Sequence, residues 1–301
     1  MDMFIDLPDV QSERPRIRLG INRVGLINVR IPLGVVGRLD GYVLQNSVFS
    51  VFVNLPADQR GIHASRSYES IYEVLSTAAW KTARLEDLSK YIVEKLLEKH
   101  QYSDWAEGNF KADLYRTVKS PITKKDSLER FKIRAGATGW RKDGTISSRR
   151  HIGVTVSGIT ACPCAQEMIR KIWSQEKQAP RDTPIATHMQ RTYASVDLKL
   201  VGDESACLIG LGDIVRASLS APTYELLKRA DEAYLVLDAV RNPVFVEDAV
   251  RIIAQRIAES FPNLSPNTEV KIVVKSIESI HNHDFAATLK TTLGEIRKNH
   301  G

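Results

Sequence analysis

Ile71-Tyr-Glu-Val-Leu-Ser-Thr-Ala78, followed shortly by Leu85-Glu-Asp-Leu-Ser-Lys-Tyr-Ile-Val-Glu-Lys-Leu96, is the stretch on which the fold turns. Ile71, Val74, Leu75 and Ala78 recur at the i, i+3, i+4, i+7 spacing of one helical face, and Leu85, Leu88, Ile92 and Leu96 mark a second such face. Two successive amphipathic helices need a common apolar surface to cover. The flanking sequence supplies it. Upstream, Ile17, Leu19 and Ile21 alternate with polar residues, and Val48, Val51 and Val53 form a second strand-like stretch. Downstream, Phe131, Ile133 and Ala135, then Ile152, Val154 and Val156, show the same period of two.

A similar order follows in the second half. A helix begins at Cys164 and ends before Pro180, and Ala194, Val196, Leu198 and Leu200 alternate as a strand. Residues 204–220 have helical period. Asn242-Pro243 reads as an N-cap with proline at the first helical position, leading into Val246, Val250, Ile253 and Ile257. Val270, Ile272 and Val274 mark a strand, with another around His281 to Leu289, while residues 175–188, rich in proline and charge, read as a loop. Strand-strand-helix-helix-strand-strand, twice, predicts an α+β protein with paired helices layered on antiparallel sheets. The division falls into residues 1–160 and 161–301.

The chain has 301 residues, 43% hydrophobic and 26% charged, which suits an ordinary globular protein with a large core. There is no run of about 18 apolar residues and no basic, then apolar, leader at Met1, so the expected setting is cytoplasmic, without a membrane partner. Three cysteines, two of them separated by one proline, argue against a disulfide framework. The net charge of +6 suits a phosphate-bearing ligand, although many basic proteins bind none. Aromatics make up only 7% and are scattered, and no Lys/Arg tract occurs, so nucleic acid is not an expected partner.

Gly158-Ile-Thr-Ala-Cys-Pro-Cys-Ala-Gln-Glu-Met-Ile-Arg170 places Cys162 and Cys164 at a helix mouth, where partial positive charge suits a reactive or metal-binding thiolate. One intervening residue is too few for a CxxC redox pair, and the pair reads equally well as two small, semi-buried helix-start residues. Gly61-Ile-His-Ala-Ser-Arg-Ser67 precedes the first amphipathic helix, with Ser65 or Ser67 available to cap it and Arg66 to hold an anion. In Thr187-His-Met-Gln-Arg-Thr192, His188 and Gln190 share one face of an entering strand. Leu227-Lys-Arg-Ala-Asp-Glu232 sets carboxylates beside two cations, and Val244-Phe-Val-Glu-Asp248 places Glu247 in an apolar helix start. Each of these acids alone also reads as an ion-pair member. His281 and His283, in Ser279-Ile-His-Asn-His-Asp284, lie on one face if extended, where both reach one metal and its water. Thiolate, imidazole and carboxylate together suit Zn(II), Fe(II) or Mn(II).

These segments, in this order, resemble the GTP cyclohydrolases called type IV in archaea and type IB in bacteria. The resemblance runs from Asp9-Val-Gln11 through His63-Ala-Ser-Arg66, Cys162-Pro-Cys164, His188-Met-Gln-Arg191, Lys228-Arg-Ala-Asp-Glu232 and Asn242-Pro-Val-Phe-Val-Glu-Asp248 to Glu278-Ser-Ile-His-Asn-His-Asp284. It implies tandem tunnelling-fold units assembled into an oligomeric barrel, a dimer or tetramer with sites between subunits. It further implies that Cys162, His188, Glu232 and one of His281 or His283 bind a catalytic divalent metal, Fe(II) first, with Mn(II) or Zn(II) as alternatives. Glu247 would anchor guanine, and Cys162, His281 and His283 would serve catalysis. His63, Ser65, Arg66 and Arg191 would bind substrate.

The implied reaction opens the guanine imidazole ring of GTP and releases formate. The longer interval between Cys164 and His188 points to the archaeal branch, with 7,8-dihydroneopterin 2′,3′-cyclic phosphate as product and a place at the first step of archaeal tetrahydromethanopterin-type pterin synthesis. The type IB branch instead makes the triphosphate. Two further alternatives are a tunnelling-fold nitrile reductase with a nucleophilic cysteine, and a non-enzymatic nucleotide- or RNA-binding protein with structural zinc.

Overall fold

The computed structural model describes residues 8–33, 42–77, 84–176 and 184–299. Ala78 and Pro180, used above to delimit helices, and the N-terminal Met1 lie outside the described residues. Two compact units are distinguished, one comprising residues 1–40, 44–112 and 134–151, the other 41–43, 113–133 and 152–301. No described helix is long and apolar enough to cross a membrane.

In the first unit, β1 (Ile21–Arg30) and β2 (Tyr42–Leu55) pair antiparallel, with Ile21 opposite Leu55 and Arg30 opposite Val48. Phe49, Val51, Val53 and Leu55 point to one side of β2 and are buried there, as the period of two requires. α1 (Ala64–Ser76) and α2 (Leu85–Lys99) bury Ile71 and Val74, and Leu85, Leu88, Ile92 and Leu96, the faces predicted from spacing. Their covering surface extends to β3 (Trp105–Lys119), where Phe110 meets Phe49 with ring centroids 5.0 Å apart. Ile17 and Leu19 are exposed and precede the first strand rather than forming it.

β4 (Asp126–Lys142) and β5 (Thr145–Ala161) are joined by Asp143-Gly144, with φ of 50° and 78°. Two consecutive left-handed residues match the twist of a tight hairpin, and glycine takes the second without steric cost.

In the second unit, α3 (Pro163–Glu176) follows β5 directly. The antiparallel run β6 (Met189–Lys199), β8 (Glu269–Ile277) and β9 (Phe285–Thr292) follows, with Thr192 opposite Ser276 and Ser276 opposite Phe285. The short β7 (Ala221–Pro222) pairs with β5. α4 (Leu208–Ala217), α5 (Arg229–Arg241) and α6 (Val246–Ser260) carry the buried apolar faces, and α7 (Leu293–Lys298) is the last of the described elements. α6 buries Val246, Val250, Ile253 and Ile257, as predicted.

Asn242, however, does not cap α6. It ends α5, where its N–H donates to Asp238 O at 3.1 Å, and Phe245 is the residue before α6. An asparagine side chain that finds a carbonyl and a carboxylate one turn back, here both on Asp238, serves a C-terminus as readily as an N-terminus. Pro243 then stops α5 rather than starting α6.

Candidate active site

Cys162 sits at the junction of β5 and α3, within the second unit. Its N–H donates to His188 O at 3.1 Å, its carbonyl accepts from Thr187 Oγ1 at 2.7 Å, and its sulfur accepts from the N–H of Ala165 at 3.4 Å. The thiol is thus placed at the helix mouth and tied by backbone to the histidine expected to join it. Gln166 fastens the same turn from inside, donating to the carbonyls of Ile185 and Val240 at 3.1 and 2.7 Å. The start of α6 is brought alongside by Val244 N–H, which donates to Ala161 O at 3.0 Å.

These constraints shape a cavity of about 320 Å³. Its polar wall includes Cys162, Cys164, His188, Gln190, Glu247, Glu278 and His281, and its apolar wall Val244, Phe245, Val246 and Phe285. Polar groups converging within an apolar pocket of this size are the usual form of a small-molecule site. His188 Nδ1 is 3.0 Å from Gln190 Oε1 and 3.8 Å from Glu278 Oε2. The His281 and His283 rings stack with centroids 5.1 Å apart, on a bend rather than a strand, and Asp284 beside them is held by Lys275 at 2.7 Å. That Lys275 ammonium, at hydrogen-bond distance, keeps the Asp284 carboxyl below the usual carboxylate range.

The family described as "Type I GTP cyclohydrolase folE2" matches residues 7–287. The chain belongs to this GTP cyclohydrolase family. Among curated relatives it is 37% identical to GTP cyclohydrolase MptA of Methanocaldococcus jannaschii, over 96% of each chain, and 39% identical to GTP cyclohydrolase MptA of Methanococcus vannielii, over 96% of this chain and 97% of that one. Among solved structures it shares its fold with a uricase from Bacillus fastidious, at a TM-score of 0.55 and 11% identity over 93% of this chain and 96% of that one. A uricase from Arthrobacter globiformis gives 0.52 and 11% over 92% and 96%. The α+β tunnelling fold expected from the sequence is the fold observed.

In this GTP cyclohydrolase family member, Cys162, His188, Glu247 and His281 line one cavity, whereas Glu232, His283 and Arg191 do not line it. Glu232 is exposed in the first turn of α5. Its neighbour Asp231 is buried and structural, accepting from Ile122 N–H, Thr123 N–H, Thr123 Oγ1 and Lys228 N–H. Burial pushes the Asp231 carboxyl up, but these donors outweigh it and hold the group well below the usual carboxylate range. Arg191 points from the opposite face of β6 to Gln190 and lines a separate cavity of about 110 Å³ with Arg130, Tyr193 and Tyr224. Among the described residues, no three His, Cys, Asp or Glu side chains are grouped to hold a metal.

His63, Ser65 and Arg66 belong to the first unit, at the start of α1. His63 occupies the N-cap position without a side-chain capping bond, so neither Ser65 nor Ser67 caps the helix. His63 Nε2 instead meets Asp9 Oδ1 at 3.0 Å, and Ser67 Oγ meets His100 Nε2 at 3.0 Å. Sequence reasoning assigned no role to Gln190 or Glu278. The available signal was their position, two residues beyond His188 and three before His281.

Proposed function

We propose that this protein is a metal-dependent GTP cyclohydrolase that opens the guanine imidazole ring of GTP, with release of formate. The observation that carries the proposal is the convergence of Cys162, His188, Glu247 and His281, from four separate segments, on one cavity. Family membership favours this reading over a nitrile reductase or a non-enzymatic binding protein.

The donor types at the cavity suit Fe(II), Mn(II) or Zn(II), with Cys162, His188 and one of His281 or His283 as ligands. Such a metal, when bound, supplies Lewis acidity that makes hydroxide available near neutral pH. Glu232, exposed on α5, completes the ligand set from a neighbouring copy in a homodimer or homotetramer. Glu247, in the first turn of α6, accepts hydrogen bonds from the N–H edge of guanine. Phe245 and Phe285 wall the ring from water. The histidine of the 281/283 pair that does not ligate carries a proton to the ring nitrogen released from C8. His63, Ser65, Arg66, Arg191 and Lys228 reach the triphosphate from neighbouring copies, guanidinium pairing well with phosphate oxygens. The free cysteines Cys162, Cys164 and Cys207 suit a reducing cytoplasm.

The relatives named MptA come from methanogens, which supports 7,8-dihydroneopterin 2′,3′-cyclic phosphate, formed with release of pyrophosphate as well as formate, as product and the first step of archaeal pterin synthesis as setting. Anaerobic incubation with GTP and Fe(II), followed by mass spectrometry of the pterin and assay of formate, tests reaction and product together. Failure to release formate with Fe(II), Mn(II) or Zn(II) would sink the proposal.

A further inference from the structure

Two guanidiniums of the second unit stand without a counter-charge. Arg130 on β4 and Arg191 on β6 are exposed and line the cavity of about 110 Å³, and neither side chain makes an ion pair or hydrogen bond among the described residues. Two carboxylates share the wall with them. Glu129 is committed elsewhere: it is buried, Oε2 accepts from Arg116 Nε and Oε1 from Arg216 Nε, each at 2.6 Å. Asp213 takes Arg116 Nη2 at 2.5 Å, so this framework of two cations and two anions is neutral. Among the described residues the Glu225 carboxylate has no partner, which leaves two free cations facing one free anion.

Tyr224 adds a directed donor. Its ring centroid is 5.6 Å from Arg216 Cζ, and its hydroxyl accepts from Arg216 Nη2 at 3.0 Å. A hydroxyl with a charged donor on one lone pair keeps its own proton to give, and gives it more strongly. The volume is too small for a nucleoside, since sites for molecules of that order run to roughly 300–1,000 Å³. A single tetrahedral oxyanion fits. Donors arriving from β4, from β6 and from the segment after β7 match oxygens that point in different directions.

We propose that this cavity is a binding site for a phosphate group, with Arg130 and Arg191 supplying charge and Tyr224, oriented by Arg216, supplying a fixed hydroxyl donor. The same chemistry is offered by free phosphate or pyrophosphate and by the phosphate chain of a nucleotide. That the phosphate is GTP's rests on the reaction proposed above; that the cavity binds phosphate does not.

The test is calorimetric titration of the metal-free, full-length protein with inorganic phosphate, pyrophosphate and tripolyphosphate at fixed ionic strength. R130Q and Y224F should each weaken binding, R130Q by about 10- to 100-fold. E225Q, which removes the opposing charge, should strengthen it. K132Q is the control: Lys132 is exposed two residues further along β4 and does not line the cavity, so its loss should leave binding unchanged. No binding by wild type, affinities untouched by R130Q and Y224F, or an equal loss in K132Q and R130Q overturns the proposal. Steady-state kinetics with GTP then separates the sources. A KM raised in R130Q by a similar factor identifies a nucleotide's phosphate, and an unchanged KM beside weakened phosphate binding identifies a free anion. Absence of turnover in every form removes the cyclohydrolase reading and leaves the binding result standing.

Discussion

The backbone N–H of Cys162 donates to the carbonyl oxygen of His188 at 3.1 Å. Two side chains proposed to share a metal are thereby placed by main-chain atoms, independently of what either side chain does. Substitution of one side chain should leave the other where it is.

Cys162→Ser keeps an acceptor for the N–H of Ala165, which the sulfur engages at 3.4 Å, and removes only the soft donor. Formate release should fall by at least about 100-fold with loss of bound metal, while the circular dichroism spectrum and melting temperature stay near wild type. Metal analysis alongside a thermal melt checks both. Collapse of the fold would mean that the residue is structural.

Glu247→Gln replaces a charged acceptor at the α6 start by a neutral amide, which also turns a donor towards the guanine edge. A hydrogen bond to a charged group contributes about 1.5–3 kcal/mol, so KM for GTP should rise about 10- to 100-fold. Steady-state kinetics at saturating metal measures this, and an unchanged KM removes Glu247 from the guanine site.

His100 is fully buried between Ser67 Oγ and Tyr102 OH, at 3.0 and 2.8 Å. Burial, aided by the nearby Arg66 charge, pushes its pKa down from 6.5 to about 4. The unfolded chain therefore takes up a proton before the folded protein does, and the stability contributed above pH 6.5 is lost as pH falls towards 4. The urea midpoint of wild type should decline relative to that of His100→Gln across this window. A difference independent of pH would exclude the histidine as its source.

Gly212 in α4 lies against Phe131, and a Cβ there would approach Phe131 Cε2 to 2.4 Å. The ring is 1% exposed and has little room to yield. Gly212→Ala should cost about 1–3 kcal/mol by overpacking, measured by urea unfolding, and Phe131→Leu in the same chain should recover part of the loss. An added methyl that stabilises α4 would show that the ring can shift.

The helices α1, α2 and α6 were legible because Ile71 and Val74, Leu88 and Ile92, and Val250, Ile253 and Ile257 repeat at helical spacing with charge between them. β3 was not. Its buried face is Ala106, Gly108, Phe110, Ala112 and Leu114, so the period of two runs largely through residues too small to register as apolar. α5 escaped for a related reason, since only Leu235, Ala239 and Val240 mark its buried face among many charges.

By itself, the sequence determined residue chemistry and period: which faces must be buried, that Cys162 stands at a helix mouth, and that Gln190 and Arg191 point to opposite faces of β6. Local bonding is enough for that, because both helix and strand set side-chain direction within a few residues. Only the tertiary structure decided that Cys162, His188, Glu247 and His281 line one cavity, that Asp231 rather than Glu232 is buried, and that Glu278 comes to the same cavity as His188 and Gln190. Those facts depend on strand register and on the ends of distant elements, which are set by the packing of the whole core and leave no mark on any short stretch of chain.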